Sequence, residues 1–339
     1  MATTVAGAGI VRYNKAMTVD VCDDQATWDE ELLKRGGHPL QLWGWGEVKA
    51  AHNWRVERVF VRKNDEIIGA AQLLVRALPA PFKALSYIPR GPVALLQDRE
   101  AVLEELASYA KQRFGGVALS IEPDWDEMPT VTGWQRSQNT INIPNTLILD
   151  LSKSEDDLQA DMSKKTRQYI RKSAKEVTIR QAKSSEEIAA CLAMYKQTAA
   201  RAGFGIHDDQ YYQDIFEKLG DHSPVFVAYA GKEPVAFLWL AISQEIAFEL
   251  YGGMNDKGQE LRANYALKWY AIQTMKKWGI ARYDFNGLLN DGVSAFKRGF
   301  ASHETQLVGT YDKPFSPLYT VWTKALPTAK KIIRKIKNR

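Results

Sequence analysis

The sequence predicts a mixed α+β protein made of two related units in tandem, and three observations carry that expectation. A length of 339 residues suits two domains of ordinary size, each long enough to bury a core. Apolar residues at 45%, charged residues at 25%, ten Trp and fourteen Tyr exclude the disordered and low-complexity classes. The third observation is a recurrence: "VFVRKNDEIIGAAQLL" from Val59 and "VFVAYAGKEPVAFLWL" from Val225 share one strand, charged turn and strand at an offset of 166 residues, slipping by one across the turn.

In the first half a short strand is expected at Met17 to Val21, followed by helices from about Gln25 to Lys34 and Gln41 to His52. The runs "WRVERVFVR" and "IIGAAQLLVRAL" read as two strands joined by the polar turn Lys63-Asn64-Asp65-Glu66. In "LSYIPRGPV" two prolines and a glycine predict an irregular loop rather than a continuing strand. Glu100 to Arg113 has helical periodicity, with Val102, Leu103, Leu106, Tyr109 and Ala110 on one stripe, and stops at Gly115-Gly116. "VALSIEP" then reads as a buried strand closed by Pro123.

The second half repeats part of this order. A single basic helix is expected from Glu155 to Lys175, then the strand "VTIRQA" and a helix from Ser184 to Arg201 whose Ser184-x-x-Glu187 start forms a capping box. A further short helix precedes the strands "PVFVAYA" and "PVAFLWLAI". The boundary is expected in the polar stretch Leu151 to Asp156, giving a first domain of residues 1–153, completed by a C-terminal helix over 316–339, and a second of 154–315. A hairpin and crossover-helix unit flanked by helices is the layout of an acyl-transfer fold of the acetyltransferase type, here present twice.

Charge is concentrated rather than spread. Lys330, Lys331, Arg334, Lys335, Lys337 and Arg339 give +6 in the last ten residues, while everything before them holds 39 bases and 40 acids. A second block, Lys164, Lys165, Arg167, Arg171, Lys172 and Lys175, is opposed locally only by Asp161. Two such patches on a near-neutral body call for an anionic partner: nucleic acid, phosphate or a lipid surface. The longest apolar stretch, Val235 to Ile242, is too short to span a bilayer, and Met1 to Ile10 lacks the pattern of a signal peptide. Cys22 and Cys191 are the only cysteines, so neither a disulfide framework nor a cysteine-rich zinc site is expected, and the expected compartment is the cytoplasm.

Specific segments sharpen this reading. They are "LQLWGWGEVKAAHNW", "YIPRGPV" and "LSIEPDW" in the first half, then "MSKKTRQYIRKSAK", "YKQTAARAGF", "YGGMNDKGQELRANYALKWYAI", "YDFNGL" and "GVSAFKRGFASHETQLVGTYDKPFSPLY". Together, and in this order from Gln41 to Tyr319, they resemble the Fem family of peptidoglycan interpeptide-bridge aminoacyltransferases, which are tandem acetyltransferase-type domains. No heptad-rich insert for a projecting helical arm is present, which points to the compact branch. The resemblance implies transfer of an amino acid from an aminoacyl-tRNA to the stem peptide of a lipid-linked (lipid II) or nucleotide-linked (UDP-MurNAc-pentapeptide) precursor, with no metal or redox cofactor. Such a protein must hold two polyanions and stabilise a developing oxyanion.

The resemblance also nominates residues. Lys297 in "AFKRGF" is placed at the reacting centre, where an ammonium stabilises the tetrahedral oxyanion and the departing ribose oxygen; the alternative is an ordinary surface lysine beside Arg298. Lys49 and Arg201 are suggested for the acceptor's phosphates, against a plain role as helix-end cations. Tyr87 and Tyr251 match positions lining the substrate cleft, or are core tyrosines; Trp43 and Trp45 read as helix packing. Lys164, Lys165, Arg167, Arg171 and Lys172 are candidates for tRNA backbone contact, Lys164, Arg167, Arg171 and Lys175 sharing a helical face that is otherwise simply solvated. In the tail, Leu326, Ala329, Ile332, Ile333 and Ile336 form an apolar stripe that either packs on the first domain or rests weakly on the inner face of the plasma membrane.

Rival readings remain at this level. Arg113-Phe114-Gly115-Gly116-Val117-Ala118 satisfies the pyrophosphate-loop pattern of acyl-CoA-dependent N-acyltransferases, yet follows a helix and precedes a strand, the reverse of the required order. A non-catalytic tRNA- or envelope-binding module would explain the basic patches without chemistry. His207 and His303 lie near family-like segments, but no histidine pair has metal-ligand spacing.

Overall fold

The computed structural model describes residues 17–289 and 291–324, and in it the chain builds two mixed sheets, one from each half. The first half runs β1 (Met17–Val21), α1 (Gln25–Lys34), α2 (Trp43–Ala51), β2 (Arg55–Lys63), β3 (Glu66–Ala77), β4 (Ala84–Pro89), β5 (Val93–Ala94), α3 (Arg99–Arg113) and β6 (Ala118–Glu122). Asp24 caps α1 by accepting from the Thr27 amide at 2.8 Å. The polar turn between β2 and β3 places Asn64 at a φ of 48°, a left-handed position that Asn tolerates. Val102, Leu103, Leu106, Ala107 and Ala110 put one face of α3 against the sheet, and the crossover makes β4 and β6 parallel. Gly116, at a φ of 90°, ends that crossover where an added Cβ would lie 2.1 Å from the Ala84 carbonyl oxygen.

After β7 (Gln135–Arg136), β8 (Asn145–Thr146) and β9 (Ile148–Asp150), the second half repeats the scheme. It runs α4 (Glu155–Asp161), α5 (Lys164–Ser173), β10 (Thr178–Gln181), α6 (Ser185–Ala202), α7 (Asp209–Leu219), β11 (Val225–Ala230), β12 (Glu233–Ile242), β13 (Ile246–Met254), α8 (Asp256–Leu261), α9 (Ala263–Lys277) and β14 (Arg282–Asp284). The chain then gives α10 (Gly292–Arg298), β15 (Thr305–Gln306) and β16 (Tyr311–Pro314). Strand order is β1-β2-β3-β4-β6-β16-β7 in one sheet, with β5 on β3, and β10-β11-β12-β13-β14-β9 in the other; β15 pairs β8 separately. The recurring segments are β2–β3 and β11–β12, α9 is the counterpart of α3, and β13–β14 is the second parallel pair. The two mixed sheets therefore carry the α+β duplication expected from sequence.

Several expectations are corrected. Residues expected as a loop form β4 and part of β5: Ala84–Pro89 is paired on both sides, antiparallel to β3 and parallel to β6, and the prolines fall at its end. The single helix expected over 155–175 is two helices. Met162 is extended between them, Ser163 caps α5 by accepting from the Thr166 amide, and the Arg167 guanidinium donates to the Gln159, Ala160 and Met162 carbonyls. The helix expected from Gln41 starts at Trp43, because Pro39–Gln41 is a 3₁₀ turn and Leu42 is extended. Strand membership crosses the expected boundary in both directions: β9 precedes it but pairs β14, and β16 pairs β6 in the first sheet. Leu318 and Trp322 pack with Phe82 and Val117 of the first half; residues 325–339, with the basic tail and its apolar stripe, lie outside the described residues.

The halves meet where α2 presses on α7. Leu40, Trp45 and Val48 share a core with Tyr211, Ile215 and Leu219, and Gly44 allows the approach, since a Cβ there would lie 2.2 Å from the Lys218 carbonyl oxygen. Gly44→Ala is expected to lower unfolding stability by about 1–2 kcal/mol, overpacking outweighing a helix-propensity gain of below ~1 kcal/mol. Denaturant unfolding measures this; stability equal to or above that of the parent chain would contradict a rigid α2–α7 contact.

Candidate functional site

The entry to α2 is fixed by a buried polar network. The Gln41 side chain donates to the Pro89 carbonyl at 2.6 Å and accepts from the Gln72 amide at 2.8 Å, and the Gln72 side chain accepts from Arg58 at 2.8 Å. Arg58 in turn donates to the Trp43 carbonyl and lies 3.5 Å over the Trp43 ring. Two turns along this anchored helix, Lys49 reaches across the interface: its ammonium donates to the Tyr211 hydroxyl at 2.6 Å and sits 4.3 Å from the Trp45 ring centroid. Burial brings the Lys49 pKa down to about 8, since a cation between aromatic faces has lost much of its water. His52 and Asp214, 2.8 Å apart, make a second link between the same helices.

Tyr211 also joins Lys49 to Tyr251 on β13, whose ring packs 5.0 Å from Tyr212 and 5.5 Å from Tyr195. Burial pushes the Tyr251 hydroxyl well above its ordinary range, so it acts as a neutral donor or acceptor. Arg201, in the last turn of α6, donates to the Met254 carbonyl at the end of β13 and to Asp256 at 2.8 Å. It remains exposed, and that exposed pairing leaves it available to a stronger anion.

Lys297, in α10, lies apart from this group, against the turn that follows β14. Pairing of β13 with β14 stops at Phe248 and Asp284, and beyond that point Asn286 bridges the parting strands, donating to the Glu249 carbonyl at 2.8 Å. A bulge opposite Trp239 and Leu240 turns Glu249 toward α9 and Tyr251 toward α6 and α7. The Lys297 ammonium donates to the Asn286 carbonyl at 2.6 Å and the Gly287 carbonyl at 3.1 Å, leaving one of its donors unengaged by them. Beneath it Lys268 and Glu249 form a buried pair, 2.6 Å from Nζ to Oε2, with the Tyr283 hydroxyl donating to Glu249 at 2.8 Å. Burial brings the Lys268 pKa down to about 8, opposed by Glu249 and reinforced by the Lys297 charge. Thus Lys49 and Tyr251 are in one group, Arg201 borders it, and Lys297 is linked to it along β13. From Glu249 to Met254 is five residues, about 17 Å at strand rise.

The remaining candidates separate. Tyr87 is buried at 5% exposure, its hydroxyl donating to Glu122 and accepting from Asn142 at 2.9 Å, so it does not line an open cleft. On α5, Lys164, Lys165, Arg171 and Lys172 are exposed, but Arg167 is half-buried and engaged with the carbonyls at the end of α4, so it does not belong to the free cationic face; Lys175 lies past the helix end. The Ser163 amide donates to the Gly299 carbonyl at 2.9 Å, which sets the basic helix directly beside the Lys297 segment. Arg113 is engaged by Glu57, and Gly116 packs on Ala84 of β4, so the pyrophosphate-like string is a structural turn. The His207 ring stacks on Tyr211 at 3.9 Å, and His303 contacts the Ile148 carbonyl at 2.9 Å. Among the described residues no group of three His, Cys, Asp or Glu is placed to hold a metal, and no helix is long and apolar enough to cross a membrane.

Sequence reasoning passed over Tyr211, Asn286 and the Glu249–Lys268 pair. A signal existed for the pair: a charged residue inside an apolar strand, "IAFELYGG", and another inside an apolar helix, "YALKWYAI".

The two sheets with their crossover helices have the fold of two acetyltransferase-type units in tandem. Among solved structures, one described as FemX superposes with a TM-score of 0.80 at 19% identity, covering 91% of this chain and all of that one. A tandem GNAT protein from the clavulanic acid biosynthesis pathway gives 0.51 at 10% identity, over 89% of this chain and 99% of that one. The FemAB family matches residues 34–137, 130–234 and 230–326, and this chain belongs to that family. Relatives include the lipid II:glycine glycyltransferases of Staphylococcus epidermidis and Staphylococcus aureus, each 22% identical over 89% of this chain and 95% of the relative.

The lowered Lys49 pKa has a direct check. After reductive ¹³C-methylation, NMR should show a lysine resonance titrating near pH 8 that is lost in Lys49→Arg, beside the one expected from Lys268; no resonance near pH 8 that disappears in Lys49→Arg would contradict a desolvated ammonium at the interface.

Proposed function

We propose that this protein is an aminoacyltransferase that moves an amino acid from its tRNA to the stem-peptide amino group of a lipid-linked or nucleotide-linked peptidoglycan precursor, building the interpeptide bridge in the cytoplasm. The observation that carries the reading is the Lys297 ammonium, held on the two backbone carbonyls of the turn that follows β14, where it parts from β13, with the basic helix α5 against its segment. Membership of the FemAB family and the activity of the lipid II:glycine glycyltransferase relatives support it.

The chemistry follows from what each group offers. The acceptor amine attacks the ester carbonyl carbon, giving a tetrahedral oxyanion. When that collapses, the bond from carbon to the ribose oxygen breaks; the amine surrenders one proton to water and the departing oxygen takes one from water, so the step releases no net proton. Lys297 stabilises the oxyanion and the departing oxygen electrostatically, without a covalent intermediate. Lys49 and Arg201 hold the acceptor's phosphates, the first as a point charge in a partly desolvated site, the second as an exposed fork. Lys164, Lys165, Arg171 and Lys172 attract the tRNA backbone, so binding should fall steeply with added salt.

The test is incubation with a pool of charged tRNAs and each candidate precursor, followed by product mass. An added residue mass is expected for one donor and acceptor pair, and Lys297→Ala should cut the rate by roughly 10² or more with tRNA affinity within about twofold. No mass shift with any pair, or full activity in Lys297→Ala, would overturn the proposal or the role of that lysine respectively. A pH series adds a sign: Lys49 is cationic below its pKa of about 8, so acceptor affinity should drop as pH rises from 7 to 9, and Lys49→Arg should flatten that dependence.

A further inference from the structure

A cleft of about 230 Å³ lies between α5 and the junction of α8 with α9, lined by Tyr169, Lys172 and Arg262 together with the carboxylates Glu176 and Glu260. Arg262 is the hinge residue of that junction. It adopts a φ of 53°, a left-handed conformation unusual for a side chain of this size, and this aims the guanidinium back onto α5. There it lies 3.7 Å over the Tyr169 ring, on an aromatic face rather than on a carboxylate. The residue is exposed, so the outer plane of the guanidinium, backed by the phenol, is a flat cationic platform open to solvent.

Inward of it runs a file of partly buried rings that pack against the core of the second half. Tyr169 meets Tyr265 edge-on at 5.0 Å, Tyr265 meets Phe296 edge-on at 4.8 Å, and Phe296 is the neighbour of Lys297. Cations flank the outer end: the Lys165 ammonium is 5.7 Å from the Tyr169 ring, and Lys172 is in the cleft wall. Aromatic faces that accept stacked bases, interleaved with cations that accept phosphates, are the chemistry that binds single-stranded nucleic acid. A folded RNA duplex offers its bases no route to such a surface, whereas an unpaired end does.

We infer that Arg262 and Tyr169 form a stacking platform for the unpaired 3′ end of the aminoacyl-tRNA and that Tyr265 and Phe296 continue it toward Lys297. This rests on the reading of the protein as a tRNA-dependent transferase and adds residues that neither the basic block nor the lysine specifies. On this arrangement α5 contributes backbone affinity, while the Arg262–Tyr169 stack contributes preference for an unpaired end.

Fluorescence anisotropy with two RNA stem-loops, one carrying a short unpaired 3′ end and one blunt, separates these terms. Arg262→Gln and Tyr169→Ala should each weaken binding of the overhanging RNA by roughly tenfold and that of the blunt RNA by less than about twofold. Tyr169→Phe, which keeps the ring, should bind as the parent does, and Lys164→Glu should weaken both RNAs alike. Thermal unfolding identifies any variant that has lost the fold, and Arg262→Gln, an exposed change, serves if Tyr169→Ala does. Equal loss for both RNAs, or no loss for either, overturns the platform while tRNA-dependent transfer by the parent protein still stands. A parent protein that binds neither RNA and transfers nothing overturns the functional reading with it.

Discussion

The hydrogen bond of 2.6 Å from the Lys49 ammonium to the Tyr211 hydroxyl ties an anchored helix of the first unit to a helix of the second. It is possible only because Gly44 lets the backbone of α2 approach that of α7, and because the Gln41–Gln72–Arg58 network fixes where α2 begins. Neither unit contains this cation's surroundings alone: Trp45 comes from one, Tyr211 and Tyr251 from the other. Burial then lowers the pKa, which leaves the ammonium charged near neutrality yet poorly hydrated. A cation in that state gains more from a phosphate than a fully hydrated surface lysine does.

The parting of β13 from β14 does the complementary work at Lys297. A parallel pair that stopped later would bury the Glu249 carbonyl in the ladder and leave Asn286 without its bridging role. Because it stops at Asp284, the chain turns at Asn286, with a φ of 54°, and presents two successive carbonyls to Lys297. The Lys268–Glu249 pair beneath is costly to desolvate and of doubtful net stability, but breaking one partner would leave an uncompensated charge under Lys297. One strand therefore organises three features: its Glu249 carbonyl holds Asn286, the partner of Lys297; Tyr251 meets Tyr211, the partner of Lys49; and the Met254 carbonyl receives Arg201.

Much of this was legible in the sequence. The duplicated hairpin, the crossover helix ending at Gly115-Gly116 and the strand "VALSIEP" follow local rules of periodicity and turn chemistry, and the structure keeps them. What was misread involved tertiary pairing. "LSYIPRGPV" looks like a loop because Pro and Gly punctuate it, but pairing on both sides makes Ala84–Pro89 a central strand. The uninterrupted basic pattern of 155–175 hid a break at Met162, which depends on Ser163 capping and on Arg167 reaching back to three carbonyls. At the site, Lys49, Arg201, Tyr251 and Lys297 could be nominated by resemblance, yet Tyr211 could not: its role is created by a helix more than 160 residues away in the chain. Tyr87 shows the reverse, a residue nominated for a cleft and found in a buried cluster with Glu122 and Asn142.

The claim that matters most is that the interface between the units, and not either unit by itself, holds the acceptor's anionic group within reach of the Lys297 edge. A crystal structure of the protein with a nucleotide-linked muropeptide tests it directly. Pyrophosphate oxygens within about 3 Å of Lys49 Nζ, with the Arg201 fork turned onto the same group and the stem peptide running toward Lys297, are the predicted result. Nucleotide density seated elsewhere, with Lys49 still bound to Tyr211 and Arg201 still on Asp256, would contradict the account.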